Sequence, residues 1–286
     1  MYDFLYKLIS TPFGYVMRWI YEFVGNYALS LFLFALVVKV LMLPMQIKQK
    51  RSMMEMQRIQ PEIQRIQKTY ARDQRRMQEE MQNVYDREGV SPMAGCGSML
   101  LIFPIMIGLY GVIIKPLTYF MQLSGDQINQ IAQILNFDLE LLAKNYHAQI
   151  ELAPLIYEGF DKVSHVAENL LRVDFSLGPI SMAAKPELSQ PGILWLLPIV
   201  SGVTAYLMSW LTQKMNPNQN MGNPQAAASQ KSMMLMMPLM SLWFGFMLPA
   251  GLSFYWICNN VLSLIQEFLM GLWAKKQMEK NQNTTK

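Results

Sequence analysis

The chain has 286 residues, of which 52% are apolar and only 15% charged, against roughly 25% charged in an average soluble chain. Long tracts carry no charge while residues 48–88 are dense with it, which argues against one evenly solvated domain and for a membrane protein with soluble appendages. The formal net charge of +4 is too small to point to nucleic acid, and the two cysteines, Cys96 and Cys258, form neither a disulfide framework nor a zinc spacing.

Residues 1–26 lack the apolar core and small-residue cleavage site of a signal peptide. Lys7 and Arg18 lie on nearly the same helical face, with Phe4, Leu5, Leu8, Ile9, Tyr15, Val16, Ile20 and Phe23 available for the apolar side. An interfacial amphipathic helix is expected, with a bend at Pro12; a first span interrupted by charges is the alternative.

Five apolar segments follow, at 27–47, 97–123, 191–212, 232–248 and 250–273, each approaching the ~20 residues that cross ~30 Å of hydrocarbon. The last two are joined only by Pro249-Ala250-Gly251, a tight turn between antiparallel spans. The expected fold class is therefore all-α: a polytopic membrane protein of five transmembrane helices, with a cytoplasmic helical hairpin and the N-terminal interfacial helix.

Between the first two spans, residues 48–92 carry two stripes at helical spacing: Met53, Met56, Ile59, Ile63, Ile66 and Tyr70, then Met77, Met81, Val84 and Tyr85. Asp73 is the expected N-cap of the second helix and Gly89 its stop. Two antiparallel helices facing each other make a charged hairpin. The loop 124–190 is expected to be partly helical, opening on a capping box at Ser124–Gln127, with "DLELLAKNYHAQI" and "DKVSHVAENLLRV" amphipathic. His147 and His165 have no clustered ligands and are expected to be ordinary histidines. No phosphate loop, catalytic triad or paired intramembrane carboxylates are visible, so no enzyme activity, cofactor or small-molecule substrate is expected.

Residues 48–90 hold ten Lys/Arg, while the loop 124–190 holds four Lys/Arg against nine Asp/Glu. The loop 213–231 and the tail 274–286 are also basic. The positive-inside rule puts the hairpin, the 213–231 loop and the tail in the cytoplasm, and the N-terminus and the 124–190 loop outside. The 25 methionines suit surfaces that adapt to varied partners; compositional bias explains them equally well.

Lys39 lies inside the first span, where insertion scales charge about 2.5–3.5 kcal/mol for a central lysine. Snorkelling is one explanation, but its backbone stands ~14 Å from Lys48 along a helix. A wet recess is the other. Gln46, Thr204, Ser209, Thr212, Gln213, Ser253, Asn259, Asn260, Ser263 and Gln266, with the aromatics Tyr110, Tyr206, Tyr255 and Trp256, are available to line it. Such a recess would attract acidic residues of another polypeptide that are otherwise costly to bring into the membrane.

Three stretches carry a resemblance. "VVKVLMLPMQIKQKRSMMEMQRIQPEIQRIQKTY" resembles the first span and hairpin of YidC/Alb3-type membrane protein insertases. "GVSPMAGCGSMLLIFPIMIGLYGVI" resembles their entry into the second span, and "MMLMMPLMSLWFGFMLPAGLSFYWICNNVLSLIQEFL" their last two spans. The likeness is greatest to the five-span form of Gram-positive bacteria. It implies a multi-pass protein of the bacterial cytoplasmic membrane that inserts nascent membrane proteins into the bilayer through a hydrophilic groove open to the cytoplasm. Its implied partners are those substrates, the Sec translocon and the ribosome. The resemblance makes Lys39 the groove's basic residue, where many members have Arg; lysine keeps the charge but not the bidentate fork. It makes Trp256 the groove-side aromatic. The family's third-span Gln has no clear counterpart, Thr204, Met208 and Ser209 occupying that neighbourhood. Two other functions compete on the residues alone. A small-solute or ion transporter would use Lys39 as its binding residue, but no inverted repeat is visible. A membrane-anchored scaffold would act through the hairpin and make Lys39 dispensable.

Overall fold

In a computed structural model the described residues are 2–90, 97–215 and 224–284. They are largely helical. In chain order the helices are α1 (Tyr2–Val24), α2 (Tyr27–Thr69), α3 (Gln74–Glu88), α4 (Gly97–Ile114), α5 (Pro116–Tyr119), α6 (Gly125–Ile134), α7 (Leu139–Lys144), α8 (Ala148–Glu158), α9 (Phe160–Val163), α10 (Leu196–Met215), α11 (Pro224–Met247) and α12 (Ala250–Thr284). Two helical stretches, Tyr27–Thr69 and Ile193–Met215, are long and apolar enough to cross a membrane. Pro104–Ile114 and Leu235–Met247 are shorter apolar helices. Cys96 and much of the 213–231 loop lie outside the described residues.

The chain forms two compact units. The first comprises Met1–Val38, Ile102–Gly202 and Ser241–Asn259. Within it α1 runs unbroken through Pro12 and buries Ser10, Gly14, Met17 and Tyr21, one face at helical spacing. Glycines set this contact. A Cβ on Gly14 would stand 1.9 Å from the Tyr119 carbonyl oxygen, and one on Gly111 2.2 Å from Ser10 Oγ. The charges of α1 divide in their roles. Lys7 is exposed, whereas Arg18 donates to the carbonyls of Met121 and Asn169, each at 3.1 Å, and pairs with Glu22. The opposite face leaves Leu8, Tyr15, Trp19 and Phe23 exposed.

The segment 124–190 folds against this unit's core. Ser124 and Gln127 form the expected capping box of α6, and Asp138 caps α7 through the amides of Glu140 and Leu141. Asp161–Val173 departs from expectation: helix α9 ends at Val163. Val163, Ala167, Leu170 and Val173 are all buried, but successive tight turns, Val166 N to Val163 O and Leu170 N to Ala167 O, produce that spacing. Asn169, between them, donates to the carbonyls of Met121 and Gln122. A two-residue antiparallel pair, β1 (Ser176–Leu177) and β2 (Ile180–Ser181), follows with Ser176 opposite Ser181. Backbone bonds from Ala250 N to Ala184 O and Gly251 N to Met182 O then tie this segment to the start of α12.

The second unit comprises Lys39–Leu101, Val203–Met240 and Asn260–Lys286. The first apolar segment runs on into the first hairpin helix without a break, as one helix, α2, of 43 residues. The residues after Ile47 are Lys, Gln, Arg and Met, which favour the helix, and nothing there caps it. Asp73 caps α3 by accepting from Arg76 N at 3.1 Å, and Gly89 ends it in the left-handed region at φ 64°. Ile59 and Ile63 of α2 bury against Val84 and Val90, flanked by Met56, Ile66, Met81 and Tyr85. Two rim pairs, Arg58–Glu88 at 2.6 Å and Arg87–Glu62 at 2.7 Å, are exposed and stabilise by about 0–1 kcal/mol each. The apolar stripe holds the hairpin. Ile63→Ala is therefore expected to cost about 2–5 kcal/mol. Hydrogen exchange on the full chain checks this: amides of Gln74–Glu88 should lose protection while α8 keeps its own.

Candidate functional site

Lys39, Gln46 and Lys50 lie on one face of α2, since seven and eleven residues both bring an α-helix back to within about 20°. On α12, Asn260, Ser263, Gln266 and Glu267 follow the same three/four spacing. The two stripes meet within the second unit. Lys39 Nζ donates to Ser263 Oγ at 2.6 Å. Gln266 Nε2 donates to Gln46 Oε1. Lys50 Nζ pairs with Glu267 Oε1 at 2.6 Å, with the two side chains only 6% and 14% exposed. On the side of α10, Asn260 Nδ2 donates to Thr204 Oγ1 at 3.2 Å. Beyond Lys50, the Arg51 guanidinium lies over the Trp273 ring, 5.5 Å from its centroid.

Of the residues read as the groove, Lys39, Gln46, Thr204, Asn260, Ser263 and Gln266 therefore fall on hydrogen-bonded helix faces of one unit. Ser209 and Gln213 belong to the same unit and are half-buried on α10. Tyr255 and Trp256 belong to the first unit, Tyr255 buried and Trp256 half-buried. No carboxylate pairs with Lys39 among the described residues; its partner is the Ser263 hydroxyl. Glu267 serves Lys50 instead. In the sequence both residues stand near the ends of their apolar segments, three beyond Ile47 and six before Trp273, which by itself does not pair them.

A seam of amide, hydroxyl and ammonium groups between helices that are otherwise apolar can do two things. It offers hydrogen-bonding partners to polar groups of a guest, and it presents positive charge where water is scarce. Among the described residues no group of His, Cys, Asp or Glu could hold a metal ion.

The fold and this seam define a helical membrane protein. Residues 19–279 match the family model described as 60Kd inner membrane protein, and the chain belongs to that family. It is 28% identical over 263 residues to the membrane protein insertase YidC of Syntrophobacter fumaroxidans, covering 92% of this chain and 38% of that one. It is 32% identical over 265 residues to the insertase of the same name from Granulibacter bethesdensis, again 92% and 38%. With the Cellvibrio japonicus insertase YidC it shares 26% over 262 residues, 92% of this chain and 35% of the relative. The chain thus spans under two-fifths of the length of these relatives.

Proposed function

We propose that this protein inserts and folds membrane proteins, receiving substrate segments in a hydrophilic groove of the bacterial plasma membrane. The observation that carries the reading is Lys39. It is an ammonium in an apolar helix, held by a hydroxyl rather than a carboxylate, so its charge is available to an acidic guest. In this reading five spans cross the membrane, at 27–47, 97–123, 191–212, 232–248 and 250–273. The N-terminus lies outside and the C-terminus inside. Residues 1–26 lie in the outer interface and 48–92 form the cytoplasmic hairpin. The 124–190 segment is extracytoplasmic, while 213–231 and the basic tail 274–286 are cytoplasmic.

The mechanism needs no bond-making step and no cofactor. The hairpin and basic tail gather a nascent chain near the membrane, with the ribosome and the Sec translocon as partners. Lys39, Gln46, Thr204, Ser209, Gln213, Asn260 and Gln266 hold the hydrophilic tail. The substrate's apolar segment moves past methionine-rich surfaces such as Met236, Met237 and Met240, which are exposed on α11. Burying that segment in lipid supplies roughly 25 cal/mol per Å². An outside-positive potential adds about 2.3 kcal/mol per acidic charge moved outward per 100 mV.

The test is complementation. Cells depleted of their own insertase should regain growth, and outward translocation of a short substrate tail should be restored, as read by protease accessibility. A chain that reaches the membrane yet restores neither is not an insertase.

A further inference from the structure

We propose that Lys50 is a second binding station for substrate carboxylates, and that Glu267 occupies it until an incoming acidic residue takes its place. The inference rests on the insertase reading and names the order in which the groove's charges act.

The pair is an ammonium and a carboxylate 2.6 Å apart, both nearly covered. Such a pair is a weak source of stability, because desolvating two ions offsets most of their attraction and apolar residues would join the helices as well. Its position gives it another use. Lys50 shares its helix face with Gln46 and Lys39 and lies at the start of the hairpin, eleven residues beyond Lys39, about 16 Å along the axis. A guest arriving from the hairpin side meets Lys50 first. At that level α12 engages two cations of α2, Glu267 the ammonium of Lys50 and Trp273 the guanidinium of Arg51. Glu267 reaches Lys50 from the same polar stripe that supplies Ser263 to Lys39 and Gln266 to Gln46. It thus presents to Lys50 the group that an acidic tail would present.

Exchange keeps the ammonium of Lys50 paired, one carboxylate replacing another, and the displaced carboxylate of Glu267, 14% exposed before exchange, must turn to water. The guest then passes Gln46 and reaches Lys39, where no carboxylate has to be displaced. A tail without acidic residues cannot displace Glu267 and gains nothing at this station. Lys50 and Glu267 therefore set selectivity between tails rather than the capacity to insert.

The test uses the full chain in phosphatidylethanolamine–phosphatidylglycerol vesicles. The substrates are single-span proteins whose short tails carry aspartates or, at the same positions, asparagines. Glu267→Gln keeps the shape and removes the competitor, so the rate for the aspartate tail should rise about fivefold, the equivalent of about 1 kcal/mol, with the asparagine tail unchanged. The swap Lys50→Glu with Glu267→Lys keeps an ion pair but puts a carboxylate at the station, so the aspartate tail alone should slow. If Glu267→Gln slows both tails alike and the swap restores both, the pair only holds α2 to α12 and the proposal is overturned. If the wild type inserts neither tail, the insertase reading fails and this exchange fails with it.

Discussion

Replacing Lys39 by alanine is expected to slow insertion of an acidic-tailed substrate about tenfold, the equivalent of roughly 1.4 kcal/mol, and to leave a neutral-tailed one near the wild-type rate. Two unit charges 4 Å apart attract by about 4 kcal/mol at an effective dielectric of about 20. Desolvation of the guest removes part of this, and tenfold is what a modest remainder delivers. Lys39→Glu should be worse than alanine, since it repels the same tail. Lys39→Arg should work, because the charge survives although the 2.6 Å contact with Ser263 must rearrange. Ser263→Ala removes the partner without the charge and should change the rate far less than Lys39→Ala. Protease accessibility of the tail reads all four variants. Equal rates across Ala, Arg and Glu would mean that Lys39 contributes only its own solvation.

Gly14→Ala is expected to destabilise the first unit more than any other single-methyl change there. The new Cβ would lie 1.9 Å from the Tyr119 carbonyl oxygen and 2.5 Å from its carbonyl carbon. Both are backbone atoms, so no side chain can swing away, and α1 must move off α5. Overpacking of this kind costs about 1–3 kcal/mol. Gly125→Ala is the matched control. Nothing lies within 4 Å of its added Cβ, and alanine favours the first turn of α6 over glycine. Thermal unfolding of the detergent-solubilised chain should therefore fall by several degrees for Gly14→Ala and not for Gly125→Ala. Equal transitions would show that α1 is not packed as described.

What was legible in the sequence was local. The stripes of the hairpin appear as Ile59, Ile63, Ile66, Met81, Val84 and Tyr85, and the buried cluster is built from them. Asp73, Gly89 and the Ser124 capping box are also local devices, and each acts where its residue type predicts. Val90 was missed because it joins the cluster after the helix has ended. Asp161–Val173 has a helix-like burial period that tight turns produce, and only Asn169's bonds to the carbonyls of Met121 and Gln122 distinguish it. The pair β1–β2 is two residues long on each side, too short for alternation to register. The site divides in the same way. An isolated lysine in an apolar run marks itself, but its partner Ser263 lies 224 positions away, and periodicity carries no register between helices. The charge on Glu267 was visible in the sequence; only the helix pairing assigns it to Lys50.

The unbroken course of α2 has a mechanical consequence. Lys39 and Ile63 stand on the same helix, 24 residues and about 36 Å apart, with Pro44 and Pro61 as the positions where that helix most easily bends. A load taken up by the hairpin is thus carried along the helix as far as Pro44, the bend nearest Lys39. Tilting one end by a few degrees displaces the other by ångströms, enough to make or break a hydrogen bond of 2.6 Å. On the insertase reading, strain placed on the hairpin by a guest would be felt first at the contact between Lys39 and Ser263.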